Sequence, residues 1–430
     1  MRVPHSFPSS IRAAAVVAAA VVVPFAPRLA AAQVPVPTAE FAPYIGVRQI
    51  TNALQGTPPA GAYIGRRIAV DRTGAFAGRI AVATDAYSNG PGHIDLVDPT
   101  TGALTPLGGP DLRRPNAVAM PWPGSFPDGV YYFQQFDFPG NPNASRRVYS
   151  LAPGAIAGLG AVLSVSGLDG GSGLAFAPAS FGPVFGGQLF GSDSGNAPGF
   201  NSGDGIRRWD AAGNFTNEVM GPIANNPDSY TDVTFTGPEF GAFSNRLVAI
   251  NTTGVGGENI LMWTEAALNG HTELQAHGAR EVFAVSPSQP VYRAAYGAYG
   301  AKGYLFAHDQ LTLFRYNANG TRSAFLTGVP GFNDVEFGAN RTLYVADLYS
   351  GLYEVKPNPA IFARWLAGTR CPLVSEISDV VQTWQVGGSC PAAPLLCKLV
   401  REPACGRQCL TADQQATIIS AIEAICANPC

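Results

Sequence analysis

The chain has 430 residues and a formal net charge of −3 at pH 7, and only 13% of its residues are charged. A protein that binds nucleic acid normally carries a basic face, so this composition argues against a nucleic-acid partner. The length is sufficient for a sizeable core and for more than one domain.

Residues 1–32 have the organisation of a secretory signal peptide. Arg2 and Arg12 form a positive segment, an uncharged run rich in Ala and Val follows at 13–25, and small residues at 30–32 suit a signal peptidase. Cleavage is expected after residue 32, which predicts a secreted or periplasmic protein. The apolar run is too short for a transmembrane helix, and no later stretch reaches the roughly 18 apolar residues that a span needs. We therefore expect no membrane span in the mature chain.

Short runs rich in Val, Ile, Tyr and Phe dominate residues 44–368, and clusters of Gly, Pro, Asn and Asp separate them. This pattern is typical of an all-β protein. One unit of three strands recurs six times, and a further strand precedes it. The first strand of the unit occurs as R-I-A-V-A-T-D (79–85), V-Y-Y-F-Q-Q (130–135), Q-L-F-G-S-D (188–193), R-L-V-A-I-N (246–251), Y-L-F-A-H-D (304–309) and T-L-Y-V-A-D (342–347).

The repeat predicts a six-bladed β-propeller over residues 33–368. Each unit with its preceding strand makes a four-stranded antiparallel sheet, and six such sheets arranged radially bury the faces that one sheet alone would expose. The segment 44–56 has the pattern of an outer strand and its link. We expect it to complete the last blade, which contains Leu343 to Val355, although residues 361–366 compete for the same place.

Tight turns after the second strand of the unit support this assignment. They read Asp-Pro-Thr-Thr-Gly at 98–102, Asp-Ala-Ala-Gly at 210–213 and Asn-Ala-Asn-Gly at 317–320. Asp or Asn can bond to the backbone of such a turn, and Gly adopts the positive φ that it requires.

Three segments carry a resemblance to a known group of proteins. P-N-A-V-A-M (115–120), I-D-L-V-D-P-T-T-G (94–102) and G-F-N-D-V-E-F-G-A-N-R-T-L-Y-V-A-D (331–347) resemble the NHL and gluconolactonase-like six-bladed propellers of the TolB-like superfamily. The resemblance covers residues 44–368 and implies the architecture. The segment 173–193 is similar to repeats of secreted bacterial propellers, which implies an exported location.

All seven cysteines fall in the last 60 residues, which places a domain boundary at residue 369. Residues 369–430 are predicted to form a small α-helical tail, with a second helix starting at Thr411. So small a unit has little core, and an exported protein can stabilise it with disulfides. Because seven is odd, one thiol is left free or bonds another chain. The alternative is a zinc site formed by Cys405, Cys409, Cys426 and Cys430. The cysteines are Cys371, Cys390, Cys397, Cys405, Cys409, Cys426 and Cys430.

The residues that begin the strand before each unit are the candidate ligand-binding residues. The inner strands of a propeller line its central channel, and the residues that start them surround one mouth of that channel. The strand starts differ among the six blades and are polar or charged. The candidates are Arg66, Asn116, Ser172, Asp232, Arg293, Asn333 and Asp334.

The resemblance to gluconolactonase-like enzymes implies a divalent metal on the channel axis. Asn116 lies in the matching P-N-x-h-A motif, and Asp232 or Asp334 would supply a carboxylate to calcium or another divalent cation. Such a metal would polarise a lactone carbonyl and activate a bound water. However, Arg66 and Arg67 stand where the first blade of that pattern opens with Glu. A second calcium candidate, the loop at 193–204, lacks EF-hand spacing and is better interpreted as a solvated loop.

We therefore favour a structural ring without a cofactor. In this interpretation the two aspartates pair with Arg66 and Arg293 or cap backbone amides. Two functions follow from the sequence. The first is a non-catalytic extracellular propeller that binds a protein, a glycan or a small molecule at a channel mouth. The second is a metal-dependent lactonase or related ester hydrolase. A serine triad is disfavoured, because Leu174 breaks the G-x-S-x-G pattern around Ser172.

Overall fold

The computed structural model describes residues 34–38, 45–54, 65–85, 92–108, 112, 115–134, 147–155, 160–165, 171–193, 205–220, 230–252, 258–285, 291–299, 302–329, 331–338, 342–348 and 351–357. The predicted signal peptide (1–32) and the predicted tail (369–430) with all seven cysteines lie outside these residues. The helices, disulfides and alternative zinc site of the tail therefore stay predictions.

Strands account for most of the described residues, and the helices are short. The helices are α1 (Glu265–Leu268) and α2 (Glu273–Gly278), and 3₁₀ turns lie at Ala179–Phe181 and Gly241–Phe243. No helix in this part of the chain has the length and apolar content to cross a membrane. The strands are β1 (Val36–Pro37), β2 (Ile45–Thr51), β3 (Gly65–Val70), β4 (Ile80–Asp85), β5 (His93–Val97), β6 (Leu104–Leu107), β7 (Pro115–Ala119), β8 (Val130–Gln134), β9 (Arg147–Leu151), β10 (Ala161–Val165), β11 (Gly171–Phe176), β12 (Leu189–Asp193), β13 (Gly205–Trp209), β14 (Phe215–Met220), β15 (Tyr230–Phe235), β16 (Leu247–Asn251), β17 (Glu258–Trp263), β18 (Glu281–Val285), β19 (Arg293–Tyr299), β20 (Lys302–His308), β21 (Leu313–Tyr316), β22 (Arg322–Thr327), β23 (Phe332–Phe337), β24 (Leu343–Asp347) and β25 (Leu352–Pro357).

The strands form six antiparallel sheets, the blades of a propeller. Each inner strand contacts the inner strand of the next blade, and β23 contacts β3, so the ring is closed. The predicted six-bladed β-propeller is thereby confirmed. In chain order the sheets are β3–β6 (blade 1), β7–β10 (blade 2), β11–β14 (blade 3), β15–β18 (blade 4), β19–β22 with β1 (blade 5) and β23–β25 with β2 (blade 6).

The ring is closed by the N-terminal strand β2, as the sequence predicted. β2 pairs antiparallel with β25, from Ile45 opposite Pro357 to Thr51 opposite Leu352. The place for which residues 361–366 competed is therefore taken. The sequence did not predict β1, which adds a fifth strand to blade 5 by pairing with β22.

The core lies between the blades, because neighbouring blades cover each other's faces. Strands β16 and β24 are buried at every residue. Between blades 6 and 1, Tyr344 and Leu352 belong to the same buried cluster as Ile68. Burying one large apolar side chain contributes about 1.5–3 kcal/mol. Contacts between blades are therefore the main source of stability, and an incomplete ring would lose them.

The predicted hairpin turns are present. Asp98 Oδ1 accepts hydrogen bonds from the N–H groups of Thr100 (2.7 Å) and Thr101 (3.1 Å), as an Asx-type turn requires. Gly102 has a φ of 73°. A Cβ at position 102 would also lie 2.3 Å from the backbone oxygen of Ile50, so this turn needs glycine for both reasons.

Candidate functional site

The six inner strands surround a cavity of about 380 Å³ on the axis of the ring. Side chains alternate along a strand, so every second residue of an inner strand faces the axis. We call the end where these strands begin the start end, and the end where they pass into turns the turn end. The layer nearest the start end consists of Arg67, Ala117, Gly173, Asp232, Ala294 and Asp334. The next layer consists of Ala69, Ala119, Ala175, Thr234, Tyr296 and Glu336.

The wall of the cavity is divided into two unlike halves. Blades 2 and 3 contribute only Ala117, Ala119, Gly173 and Ala175 to these two layers, and we call this half the small wall. The polar wall comes from blades 4 to 6 and from the start of blade 1. It consists of Arg67, Asp232, Thr234, Tyr296, Asp334 and Glu336.

Asp232 joins blade 4 to blade 5 at the start end. Its Oδ2 accepts a hydrogen bond from the N–H of Ala294 (2.9 Å), and its Oδ1 lies 3.7 Å from Nη1 of Arg293. Gly173 of blade 3 packs against the same carboxylate. A Cβ at position 173 would lie 2.7 Å from Asp232 Oδ1 and 2.8 Å from its Cα, so this close approach requires glycine.

Asp334 makes the corresponding link from blade 6 to blade 1. Its Oδ2 accepts a hydrogen bond from the N–H of Ile68 at 2.8 Å. Beside it, Nη1 of Arg67 donates to Oδ1 of Asn333 and to the backbone oxygen of Arg66. The predicted capping of backbone amides by the two aspartates is confirmed, and so is the pairing of Asp232 with Arg293.

The expected pairing of Arg66 with one of these aspartates is wrong. Arg66 is completely buried, and its Nη1 donates to the backbone oxygen of Asp347 at 3.2 Å. Adjacent residues of a strand point to opposite faces, so Arg67 lines the cavity in its place. The repeat pattern in the sequence identifies the start of this strand, but it does not show whether Arg66 or Arg67 faces the axis.

Four inner strands carry a β-bulge that the sequence did not predict. The pairing with the second strand shifts between residues 115 and 117, 171 and 173, 230 and 232, and 332 and 334. In blades 1 and 5, where the candidates are Arg66 and Arg293, the pairing is continuous. A bulge changes the direction of nearby side chains. The arginines therefore occupy similar positions in sequence but a different backbone geometry.

The predicted ligand-binding residues whose side chains the structure describes are not exposed at a channel mouth. The five whose side chains the structure describes are all buried, with at most 8% of the residue exposed. Of these five, only Asp232 and Asp334 line the cavity. The side chains of Asn116 and Ser172 lie outside the described part, and binding by the set stays a prediction. The five are Arg66, Asp232, Arg293, Asn333 and Asp334.

Burial shifts the acid–base properties of this cluster. Loss of solvation raises the pKa of Asp232 to about 7, and the positive charge of Arg293 offsets this only in part. Loss of solvation also raises the pKa of Asp334 and of Glu336. It lowers the pKa of Arg293 to about 10, and the nearby charge of Arg67 acts in the same direction. Charge inside the cavity is therefore costly, and added counter-charge would stabilise it.

His308 lies behind the cluster, opposite Arg293 in the register of β19 and β20. It is 1% exposed, and its Nδ1 accepts a hydrogen bond from the N–H of Gln310 at 3.3 Å. Burial, and then the charge of Arg293, lower the pKa of His308 to about 3. The imidazole of His308 is thus neutral at physiological pH.

A group of residues from four blades lies at the turn end. The guanidinium of Arg72 lies over the ring of Trp122, 4.6 Å from the ring centroid, and pairs with the carboxylate of Glu336. Arg72 also donates to the backbone oxygen of Phe337 (2.8 Å), and Trp122 Nε1 donates to that of Phe176 (3.0 Å). Blades 1, 2, 3 and 6 meet in this way around one partly buried cation.

Blades 4 and 5 are linked at the turn end by Tyr296, whose hydroxyl donates to Oε2 of Glu239 at 3.0 Å. The turn-end residues could not be identified from the sequence, because their turns differ from blade to blade and share no repeated motif. Glu336 did leave a signal in the sequence. It follows Asp334 by two positions, which places both on the same face of β23.

The arrangement does not fit the axial metal that the resemblance implies. One oxygen of Asp232 and one of Asp334 are each bound to a strand amide, and Arg67 and Arg293 place positive charge beside both. A guanidinium beside a metal ion costs Coulomb energy. Among the residues that the structure describes, no group of three His, Cys, Asp or Glu side chains is placed to hold a metal. The side chains of the loop at 193–204 lie outside that part.

No model of a known protein family matches the chain, and no curated protein is significantly similar in sequence. Solved structures of propellers are similar in fold. A gluconolactonase from Xanthomonas campestris is 12% identical, with a TM-score of 0.44 over 76% of this chain and 95% of its own. A streptogramin B lyase is 12% identical, with a TM-score of 0.42 over 73% and 98%. The propeller domain of a WD40 protein is 10% identical, with a TM-score of 0.43 over 74% and 98%. At these identities the likeness concerns architecture, and no functional residue of those proteins is transferred to this chain.

Proposed function

We propose that the protein binds one small organic molecule in its axial cavity and carries out no reaction on it. The observation that supports this proposal is the divided wall. The short side chains of the small wall leave the space of the cavity unfilled. The polar wall supplies hydrogen-bond donors, acceptors and charges along one side of that space. Ligand cavities span about 300–1,000 Å³, and the cavity of about 380 Å³ is at the small end of that range.

The void is unlike a packing defect. Protein interiors are close-packed, and few of their voids exceed the size of a water molecule. Here two consecutive axis-facing positions in each of blades 2 and 3 are Ala or Gly, while blades 4 to 6 contribute Asp, Thr, Tyr and Glu to the rest of the wall. The predicted export of the chain would place this binding activity outside the cytoplasm.

A compound screen tests the proposal. We would follow thermal unfolding of the mature protein in the presence of a library of small metabolites. Ala175→Leu adds bulk to the small wall, and Ala266→Leu makes the same change at an exposed position of α1. We expect compounds that stabilise the wild type and Ala266→Leu but not Ala175→Leu. The proposal is wrong if no compound stabilises the wild type, or if Ala175→Leu responds equally.

The metal-dependent lactonase is the alternative, and calcium distinguishes it from a binding protein. We would titrate calcium into the wild type and Asp232→Ala while following thermal unfolding. Because Asp232 and Asp334 already bind strand amides, we expect no large calcium-dependent stabilisation. A large stabilisation that disappears in Asp232→Ala would favour the lactonase.

A further inference from the structure

We propose that the ligand of the axial cavity is a small organic cation, with an ammonium or guanidinium group on an apolar body. This inference rests on the proposed function and specifies the chemistry of the molecule that is bound. It depends on four features of the cavity: the balance of charge, the engagement of the arginines, the aromatic corner at the turn end and the small wall.

The first feature is an excess of carboxylates. Four of them line the cavity, from Asp232 and Asp334 near the start end to Glu336 and Glu239 towards the turn end. The lining guanidiniums in the described residues are those of Arg67 and Arg72. Even with Arg293, which pairs with Asp232 from behind, the acidic side chains outnumber the arginines by four to three.

The second feature is that both lining arginines already have protein partners. Arg72 pairs with Glu336 and donates to the backbone oxygen of Phe337. Arg67 donates to Oδ1 of Asn333 and to the backbone oxygen of Arg66. A ligand anion would have to displace these bonds and approach four carboxylates. A ligand cation would instead approach Asp334 and Glu336. Burial destabilises the ionised form of both side chains and so raises their pKa values. The positive charge of the ligand would stabilise that ionised form.

The third feature is the aromatic corner around Trp122. Its ring already carries the planar cation of Arg72 at 4.6 Å, with Glu336 as the counter-charge. A cation over an aromatic face is stabilised by the ring quadrupole, and a nearby carboxylate adds to this. The contacts that Arg72 makes with Trp122 and Glu336 therefore show how the turn end stabilises an organic cation. Tyr296 provides a second ring, on the polar wall.

The fourth feature gives the orientation. The small wall, with Ala117, Ala119 and Ala175, comes from blades 2 and 3, and blade 6 with Asp334 and Glu336 lies across the cavity from blade 3. An apolar body would pack on these methyl groups. The charged group would then point to Asp334 and Glu336, whose negative charges act on each other across one face of β23.

Three probes of similar shape test the inference by isothermal titration of the mature protein at neutral pH. They are 2-phenylethylammonium, neutral 2-phenylethanol and anionic 3-phenylpropionate. We expect the cation to bind about tenfold more tightly than either of the others, as a charge-assisted contact with a carboxylate and an aromatic face allows. This order is measured on the wild type, so it does not depend on the folding of any variant.

Glu336→Gln is expected to weaken binding of the cation and leave that of the neutral probe unchanged. Glu281→Gln is the matched control, because Glu281 is also paired with an arginine (Arg246, 3.5 Å) but lies on the outer strand of blade 4. Tighter binding of the anion, or equal binding of all three probes, would overturn the inference and leave the proposed function standing. If no probe binds while the compound screen finds a ligand, the inference is also overturned. If both experiments find nothing, the proposed function itself fails.

Discussion

The carboxylate of Asp334 accepts a hydrogen bond from the backbone N–H of Ile68, and this bond joins the inner strand of the last blade to that of the first. Asp232 and the N–H of Ala294 make the same link between blades 4 and 5. Each aspartate directly follows a β-bulge. The bulge turns the side chain towards the neighbouring blade, so a local irregularity of one strand contributes to the closure of the whole ring.

Replacing Asp334 with Ala should destabilise the propeller. The change leaves the buried N–H of Ile68 without its acceptor, and losing one partner of a buried hydrogen bond costs about 1–3 kcal/mol. Asp334→Asn keeps an acceptor oxygen and should cost less. The free energy of unfolding in urea measures both variants, with Asp98→Ala in an exposed turn as the control. A value for Asp334→Ala equal to that of the wild type would show that the bond contributes nothing.

Gly173→Ala should be destabilising because there is no room for its methyl group. The new Cβ would lie 2.8 Å from the Cα of Asp232, so blades 3 and 4 would have to separate. Inserting a methyl group into a packed site typically costs about 1–3 kcal/mol. Gly46→Ala in β2 is the matched control, since a Cβ there meets nothing within 4 Å. Equal midpoints of thermal unfolding for the two variants would contradict this packing.

The chain should lose cooperative unfolding if it lacks β2. A protein that begins at residue 56 has no strand to pair with β25, so blade 6 keeps an open edge and an uncovered face. A protein that begins at residue 41 lacks β1 only and should stay close to the wild type in stability. Calorimetry and resistance to protease compare the two. Similar behaviour of both proteins would mean that β2 does not hold the ring closed.

His308 should make the protein sensitive to acid. Its pKa is about 3 in the fold against 6.5 for the free side chain, so the unfolded chain binds a proton that the native state excludes. The free energy of unfolding should therefore fall as the pH falls through this window. His308→Asn retains an acceptor for the N–H of Gln310 but cannot titrate.

The measurement is the difference in unfolding free energy between wild type and His308→Asn from pH 8 to pH 4. Burial raises the pKa of Asp232 and so acts in the opposite direction, but it is common to both proteins and largely cancels in the difference. We expect the wild type to lose stability relative to the variant as the pH falls. If the difference in unfolding free energy does not change with pH, the interpretation of His308 as a buried neutral imidazole is wrong.

The cysteine-rich tail predicts about one free thiol per chain, and none if the odd cysteine joins two chains. Three disulfides would account for the other six cysteines. Thiol counting on denatured, unreduced protein checks this, with fully reduced protein as the control. If most of the seven thiols react, the disulfide framework is excluded and the zinc site becomes the better interpretation.

The architecture could be predicted because its signals are local. Alternating apolar residues, Asp or Asn at turn starts and Gly at positive φ recur in each blade, as in the turn from Asp98 to Gly102. Closure by residues 45–51 could also be predicted, since an outer strand at the start of the chain needs a partner. These inferences need only strand periodicity and turn chemistry.

The site could be predicted only in part, because it depends on relationships between blades. The sequence identified Asp232 and Asp334, but whether Arg66 or Arg67 faces the axis depends on the register and bulges of the strands. Arg72 and Trp122 belong to turns without any repeat. The alanines of blades 2 and 3 were visible as A-V-A and L-A, yet they define a cavity only once the ring places them opposite larger residues.

The pairing of β2 with β25 also has a consequence for how the chain folds. Ile45 pairs with Pro357, so one of the earliest strands to be synthesised cannot find its partner until almost the whole propeller has been made. Contacts between such distant residues slow folding, because the intervening loop must be closed first. Until then β2 is a strand without its partner, and unpaired strand edges make folding intermediates prone to aggregation. Translation rate and chaperone supply should therefore affect the yield of this protein more than that of a propeller whose last blade is built from consecutive strands.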